Sequence, residues 1–189
     1  MNQSEMLKII ARRGYNVGFG AKKNFATYDI VSKAGGWISF ISLCIGVFAL
    51  FIPILATNVI SAILIIFGVI TMYVQFYDAE KGNYIKAGNE QTRIFEELEF
   101  LYRNVKSDAN FDYEQTHLEL TRLMTQFQQS AISKHIFCSN WYAHYKFYCE
   151  FEKEWVSTEL SLTWKDKIPF SLAFFIIMII IVSLFAINY

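Results

Sequence analysis

Charge is missing from this sequence in two places: no Asp, Glu, Lys or Arg stands between Lys33 and Asp78, and none follows Lys167. Stretches of that length without an ionisable side chain exclude a surface solvated in the ordinary way of a one-core soluble domain. Proline is almost absent too, with only Pro53 and Pro169, so there is no proline-rich linker and neither charged part is broken by a helix-stopping ring. The three cysteines, Cys44, Cys138 and Cys149, offer no disulfide framework and suit a reducing compartment. Phosphate-binding loops are missing as well. Gly14, Gly18 and Gly20 in "RRGYNVGFGAKKNF" match neither G-x-G-x-x-G nor G-x-x-x-x-G-K-[ST], and no strand pattern precedes them.

What remains is apolar: 54% of the 189 residues are hydrophobic and 17% aromatic, which predicts a membrane protein. The first charge-free stretch is too long for one span and divides at "PILATN" into Gly36–Leu55 and Val59–Tyr77. Each piece has about the ~20 residues needed to cross ~30 Å of hydrocarbon. A third span is predicted over Ile168–Ile187, with Pro169 where a helix can begin and Trp164, Lys165 and Lys167 as interfacial anchors. A cleaved signal sequence does not fit, because 35 residues precede the first span and a second follows almost at once.

All seventeen Lys and Arg lie in 1–35 or 78–167, so the positive-inside rule places the N-terminus and residues 78–167 in the cytoplasm of a bacterial inner membrane. The zero net charge hides an opposed pair: residues 1–34 carry six Lys or Arg against two Asp or Glu, and 78–167 carry eleven against fifteen. Arg12, Arg13, Lys22 and Lys23, interleaved with Tyr15, Phe19, Phe25 and Tyr28, read as a bent amphipathic helix over 1–35 lying on an anionic inner leaflet.

The segment "RRGYNVGFGAKKNFATYDIV", the Trp37-led hairpin with almost no external turn and the long helical region after it resemble the SLATT family over roughly residues 12–160. These are bacterial two-transmembrane effectors associated with SMODS nucleotidyltransferases and SLOG nucleotide sensors in antiphage systems. The resemblance implies a pore-forming or membrane-disrupting effector that arrests or kills the infected cell. Its trigger would be an upstream sensor protein or that sensor's nucleotide signal, or a reverse-transcriptase partner. A third span at 168–187 departs from the two-span pattern and reads as an anchor.

Within the spans, Gly35, Ser39, Ser42, Gly46, Ala49 and Pro53 recur at spacings of 4, 3, 4, 3 and 4, on one helix face. Ser61, Gly68, Thr71 and Gln75 form a weakly polar stripe on the second span. Such stripes mediate helix association in lipid. They pack the hairpin against itself or, once hairpins form a homo-oligomer, line a narrow uncharged pore. With no Asp, Glu, Lys, Arg or His in any span, a proton relay, a voltage sensor or a charged selectivity ring is not expected.

The cytoplasmic part is predicted all-α. The second span continues through a helix with Ile94, Leu98, Leu101 and Val105 on one face; a break falls at "KSDANFD"; and Asp112 with Gln115 reads as a capping box. Leu120, Leu123, Phe127, Ile132 and Ile136 then supply the apolar edge of a second, antiparallel helix. The aromatic run from Ile136 to Trp155 exceeds what one helix face needs and reads as a surface for another chain or the membrane interface. His135, Cys138, His144 and Cys149 lack the paired spacing of structural zinc and read as buried thiols and amphipathic imidazoles. No nucleophile arrangement has local support, no cofactor is implied, and the acidic run Glu96, Glu97, Glu99 reads as a solvated face partnered by Arg93 and Arg103. Nucleic-acid binding is not expected either, since the larger charged part is acidic. Two readings remain: a triggered membrane effector, and a non-conducting membrane scaffold that recruits a cytoplasmic partner.

Overall fold

The computed structural model describes residues 2–109, 111–150, 154–163 and 168–187. It is helical, and no strand occurs among the described residues. Helix α1 runs unbroken from Gln3 to Ala49. After a 3-10 turn at Pro53–Ala56, α2 spans Asn58–Gln75, and α3, Lys81–Ser107, follows it across a single 3-10 turn at Asp78–Glu80. Then come α4, Tyr113–Gln129, α5, Ser139–Cys149, α6, Glu154–Leu160, and α7, Phe170–Ile187.

Local chemistry explains these boundaries. Asn2 opens α1 with a reciprocal capping box: its Oδ1 accepts from Glu5 N–H at 2.8 Å, and the Glu5 carboxylate accepts from Asn2 N–H at 3.1 Å. Asp112 opens α4 by accepting from the N–H groups of Glu114, 2.9 Å, and Gln115, 3.2 Å. Pro53 lacks an N–H and stands at the head of the turn that reverses the chain between α1 and α2.

The molecule has two parts joined by α1. Its first half is the central helix of a bundle with α3, α4, α5 and α6. Met6, Ile10, Ala11 and Val17 of α1 are sealed there against Ile94, Leu98, Leu120, Leu123 and Val156. Antiparallel pairing of α3 and α4 is fixed by Arg122 with Glu97, 2.7 Å, and by Arg93 with Gln126, 3.5 Å. Between α1 and α3 the register is equally plain: Gln3 bonds the carbonyls of Val105 and Asp108, and Asn24 Nδ2 donates to Gln91 Oε1 at 3.0 Å. The second half of α1 leaves the bundle and pairs with α2 as a hairpin.

That hairpin has almost no core. α1 and the run of helix beginning at Asn58 are each long and apolar enough to cross a membrane, and only 6% of each apolar window is buried. Leu43, Leu50, Phe51, Ile54, Val59 and Ile65 are all exposed on it. Placing two such helices in water would cost far more than any contact between them returns.

Two sequence expectations change. Residues 1–35 do not form a separate, bent, membrane-lying helix: α1 is continuous, its apolar side is buried in protein, and at 1.5 Å per residue Arg12 and Arg13 stand about 35 Å along the axis from Gly36. Ile132 and Ile136 do not extend α4, which ends at Gln129; they belong to a non-helical segment that packs at the base of the hairpin.

Candidate functional site

The site that distinguishes this fold is the hairpin and its junction with the bundle. Where α1 and α2 emerge, Gly35, Gly36 and Ser39 face Thr71, Val74 and Gln75 across an open cleft of about 660 Å³, with Val31 and Asp78 at its bundle end. Four of the predicted stripe residues, Gly35, Ser39, Thr71 and Gln75, are thereby brought together in one mouth. Ser42, Gly46, Ala49, Ser61 and Gly68 lie outside it. Thr71 Oγ1 donates to Phe67 O at 2.9 Å and Ser61 Oγ to Thr57 O at 3.2 Å, so both hydroxyls satisfy themselves on their own helix.

A Cβ placed on Gly46 or Gly68 would meet nothing within 4 Å. The glycines therefore do not hold α1 against α2, and the self-packing reading of the stripes fails at these two positions. Each leaves a flat, unfilled spot on an apolar surface.

Below the mouth, residues 130–138 form a strap that binds all three long helices to one another. Tyr84 donates its hydroxyl to Lys134 O at 2.8 Å, Tyr77 to His135 O at 3.5 Å, and Phe137 N–H donates to Tyr73 Oη at 3.3 Å. Gln91 Nε2 reaches Ser130 O at 3.3 Å from α3, and Thr27 Oγ1 of α1 lies 3.0 Å from His135 Nδ1. Burial, with Lys23 nearby, pushes the His135 imidazole down to about 4, so it is neutral here. Beside the strap, Asp29 of α1 holds Lys146 of α5 at 2.8 Å and Lys33 at 3.0 Å. Burial works to raise the Asp29 pKa, but hydrogen bonds from Lys146 and Lys33 outweigh it and keep the carboxyl below its ordinary value.

The remaining candidates fall elsewhere. Arg12 and Arg13 are exposed and Lys22 and Lys23 half-buried, with Lys22 over the Phe25 ring at 5.7 Å. Trp164, Lys165 and Lys167 lie outside the described residues. The aromatic run divides: Phe147 is fully buried and meets Tyr15 edge-on and Trp155 packs on Phe95 and Tyr102, whereas Phe137 and Tyr145 remain exposed. His144 lies edge-on to Phe19 and is lowered in pKa by burial, while the free thiols are not buried as expected: Cys138 is half-buried and Cys149 exposed. Among the described residues no cluster of three His, Cys, Asp or Glu forms a metal site.

Sequence reading missed the strap and the reason for the glycines. A Cβ on Gly14 would collide with the Trp155 indole, one on Gly20 would stand 2.9 Å from Gln91 Oε1, and one on Gly88 2.8 Å from the Phe25 ring. These glycines admit large side chains from neighbouring helices. The tyrosines at 73, 77 and 84, spaced by four and seven, were the available sign of a polar seam on the second span's continuation.

The family model described as SMODS and SLOG-associating 2TM effector domain 6 matches residues 1–176, from the start of α1 into the first turns of α7 and beyond the 12–160 expected. No curated protein and no solved structure matches the chain.

Proposed function

Because this chain belongs to the SMODS and SLOG-associating two-transmembrane effector family, SLATT, we propose that it is the membrane-permeabilising effector of a bacterial antiphage system. The hairpin inserts with both ends of the bundle on the cytoplasmic side, and α7 crosses as a third, anchoring span. Copies assemble through the flat glycine-bearing faces of α1 and α2, and opening of the assembly dissipates ion gradients. The observation that carries this reading is the hairpin itself: two spans, almost wholly unburied, rise from a bundle folded around the same helix.

The mouth supplies the chemistry of a weakly selective path. Ser39, Thr71 and Gln75 offer neutral polar groups along the spans, and the charge in the mouth is the Asp78 carboxylate at its bundle end, paired with Lys81 at 2.7 Å. The trigger is a separate protein or its nucleotide product.

The deciding measurement is membrane potential, read with a voltage-sensitive dye in bacteria expressing the chain alone and then with its neighbouring genes under phage challenge. Depolarisation before lysis is expected. A stable potential in cells that hold the inserted protein and still defend themselves overturns permeabilisation and makes the chain a scaffold.

A further inference from the structure

We propose that the bundle carries a head-to-tail contact surface for a second copy of this chain, formed by the α3/α4 groove of one copy and the outer face of α1 of the next. This rests on the reading of the hairpin as inserted and assembled.

The groove is open, about 670 Å³, and lies at the bundle's far end from the hairpin. Phe100 of α3 and Leu118 of α4, 67% and 70% exposed, stand in it with no cover from their own chain. Four carboxylates line it, Glu97, Asp108, Asp112 and Glu119, against the guanidinium of Arg122, which is tied to Glu97 and Glu119 at 2.7 and 2.6 Å. The groove is thus apolar with an acidic rim.

Its complement is on the same molecule. Lys8, Arg12 and Arg13 surround the exposed Ile9 on α1, with Glu5, whose carboxylate accepts from Asn2 N–H, also lining the patch, and none of the three cations has an ion-pair partner among the described residues. This face is apolar at its centre and basic at its rim. The two patches flank α4: the acidic groove lies between α4 and α3, whereas Ile9 and Arg13 edge a second groove, between α4 and α1.

Depth decides that the occupant is another copy. Copies sharing one bilayer share one orientation, so a contact between neighbours around an axis normal to the membrane needs two different patches at the same distance from it. Gln3 lies opposite Val105 and Asn24 opposite Gln91, which sets Arg12 and Arg13 level with Leu98–Leu101. Basic face and acidic groove stand at one height. Patches of unlike sign at one level, on either side of α4, can join copy to copy around that axis, and the series closes into a ring where the rotation between neighbours divides the circle.

The test is photo-crosslinking of the full chain in bacterial membranes, with benzoylphenylalanine in place of Phe100 and, separately, of Leu118, and two differently tagged copies coexpressed. Links from both positions to the α1 segment around Ile9 of the other copy are expected. Arg12→Glu with Arg13→Glu should lower their yield about tenfold at low salt, because screening leaves rim charges active there. Three results overturn the surface: links from groove to groove, links to a different protein, or no intermolecular link in well-inserted chains that still depolarise the cell. The last leaves the permeabilising reading intact. Links to α1 in cells whose potential stays stable support the surface and remove that reading instead.

Discussion

At the scale of single residues the decisive positions are small ones, and the same residue type does opposite work in the two parts of the molecule. Gly14 lies under the Trp155 indole, so Gly14→Leu forces the ring out and should destabilise the bundle by about 1–3 kcal/mol, read as a lower melting temperature of the detergent-extracted chain. Gly46→Leu enters open space and should leave that melting temperature unchanged while abolishing depolarisation. Two titrations separate by pH. The folded pKa of His135, about 4, lies below its ordinary 6.5, so the unfolded chain takes the proton first. Its stabilising contribution is complete above pH 6.5 and declines from there to about 4, with His144 acting in the same direction. Asp29 is depressed, so its contribution holds above the ordinary carboxylate range and is lost only as pH falls through the lower folded value. Glu90 and Glu119 are depressed in the same direction by their arginine partners, so melting temperature against pH should fall in two steps, the upper one smaller in His135→Gln and the lower one smaller in Asp29→Asn.

Among elements, the strap at 130–138 connects what the helices alone would leave separate. Tyr84→Phe removes the donor to Lys134 O and leaves a sheltered carbonyl unmet, which should cost about 1–2 kcal/mol. Breaking the exposed Arg122 pair with Glu97 should cost under about 1 kcal/mol. Thermal unfolding of both variants checks the contrast. The elements were legible to different degrees, for physical reasons. Ile94, Leu98, Leu101 and Val105 repeat at helical spacing because α3 buries one stripe, and Asp112 announces α4 because an N-cap needs an acceptor at one position; both are local signals. The strap is bound side chain to backbone, and at Thr27 and His135 side chain to side chain, across 39 to 108 residues of sequence, and no local pattern encodes that. The start of α1 misled for a related reason. Cations interleaved with aromatics look alike whether the apolar side meets lipid or Trp155, and only the tertiary partner tells them apart. In the candidate site, Gly35, Ser39, Thr71 and Gln75 were legible as stripes, but their meeting in one mouth depends on how α1 and α2 cross.

For the whole molecule, the continuity of α1 matters most. A 47-residue helix is about 70 Å long, and this one lies half among its bundle partners and half in the hairpin, with no proline and no break. One continuous helix thus belongs to both the bundle, where it packs on α3, α5 and α6, and the hairpin, so a tilt of its inner half would carry over to its outer half. From Gly18 to Ala49 the arm is about 46 Å, so a tilt of about 10° sweeps the outer end through about 8 Å, more than the width of a water-filled file of ions. In the effector proposed above, a push on the bundle would therefore reach the outer end of the span through a single helix.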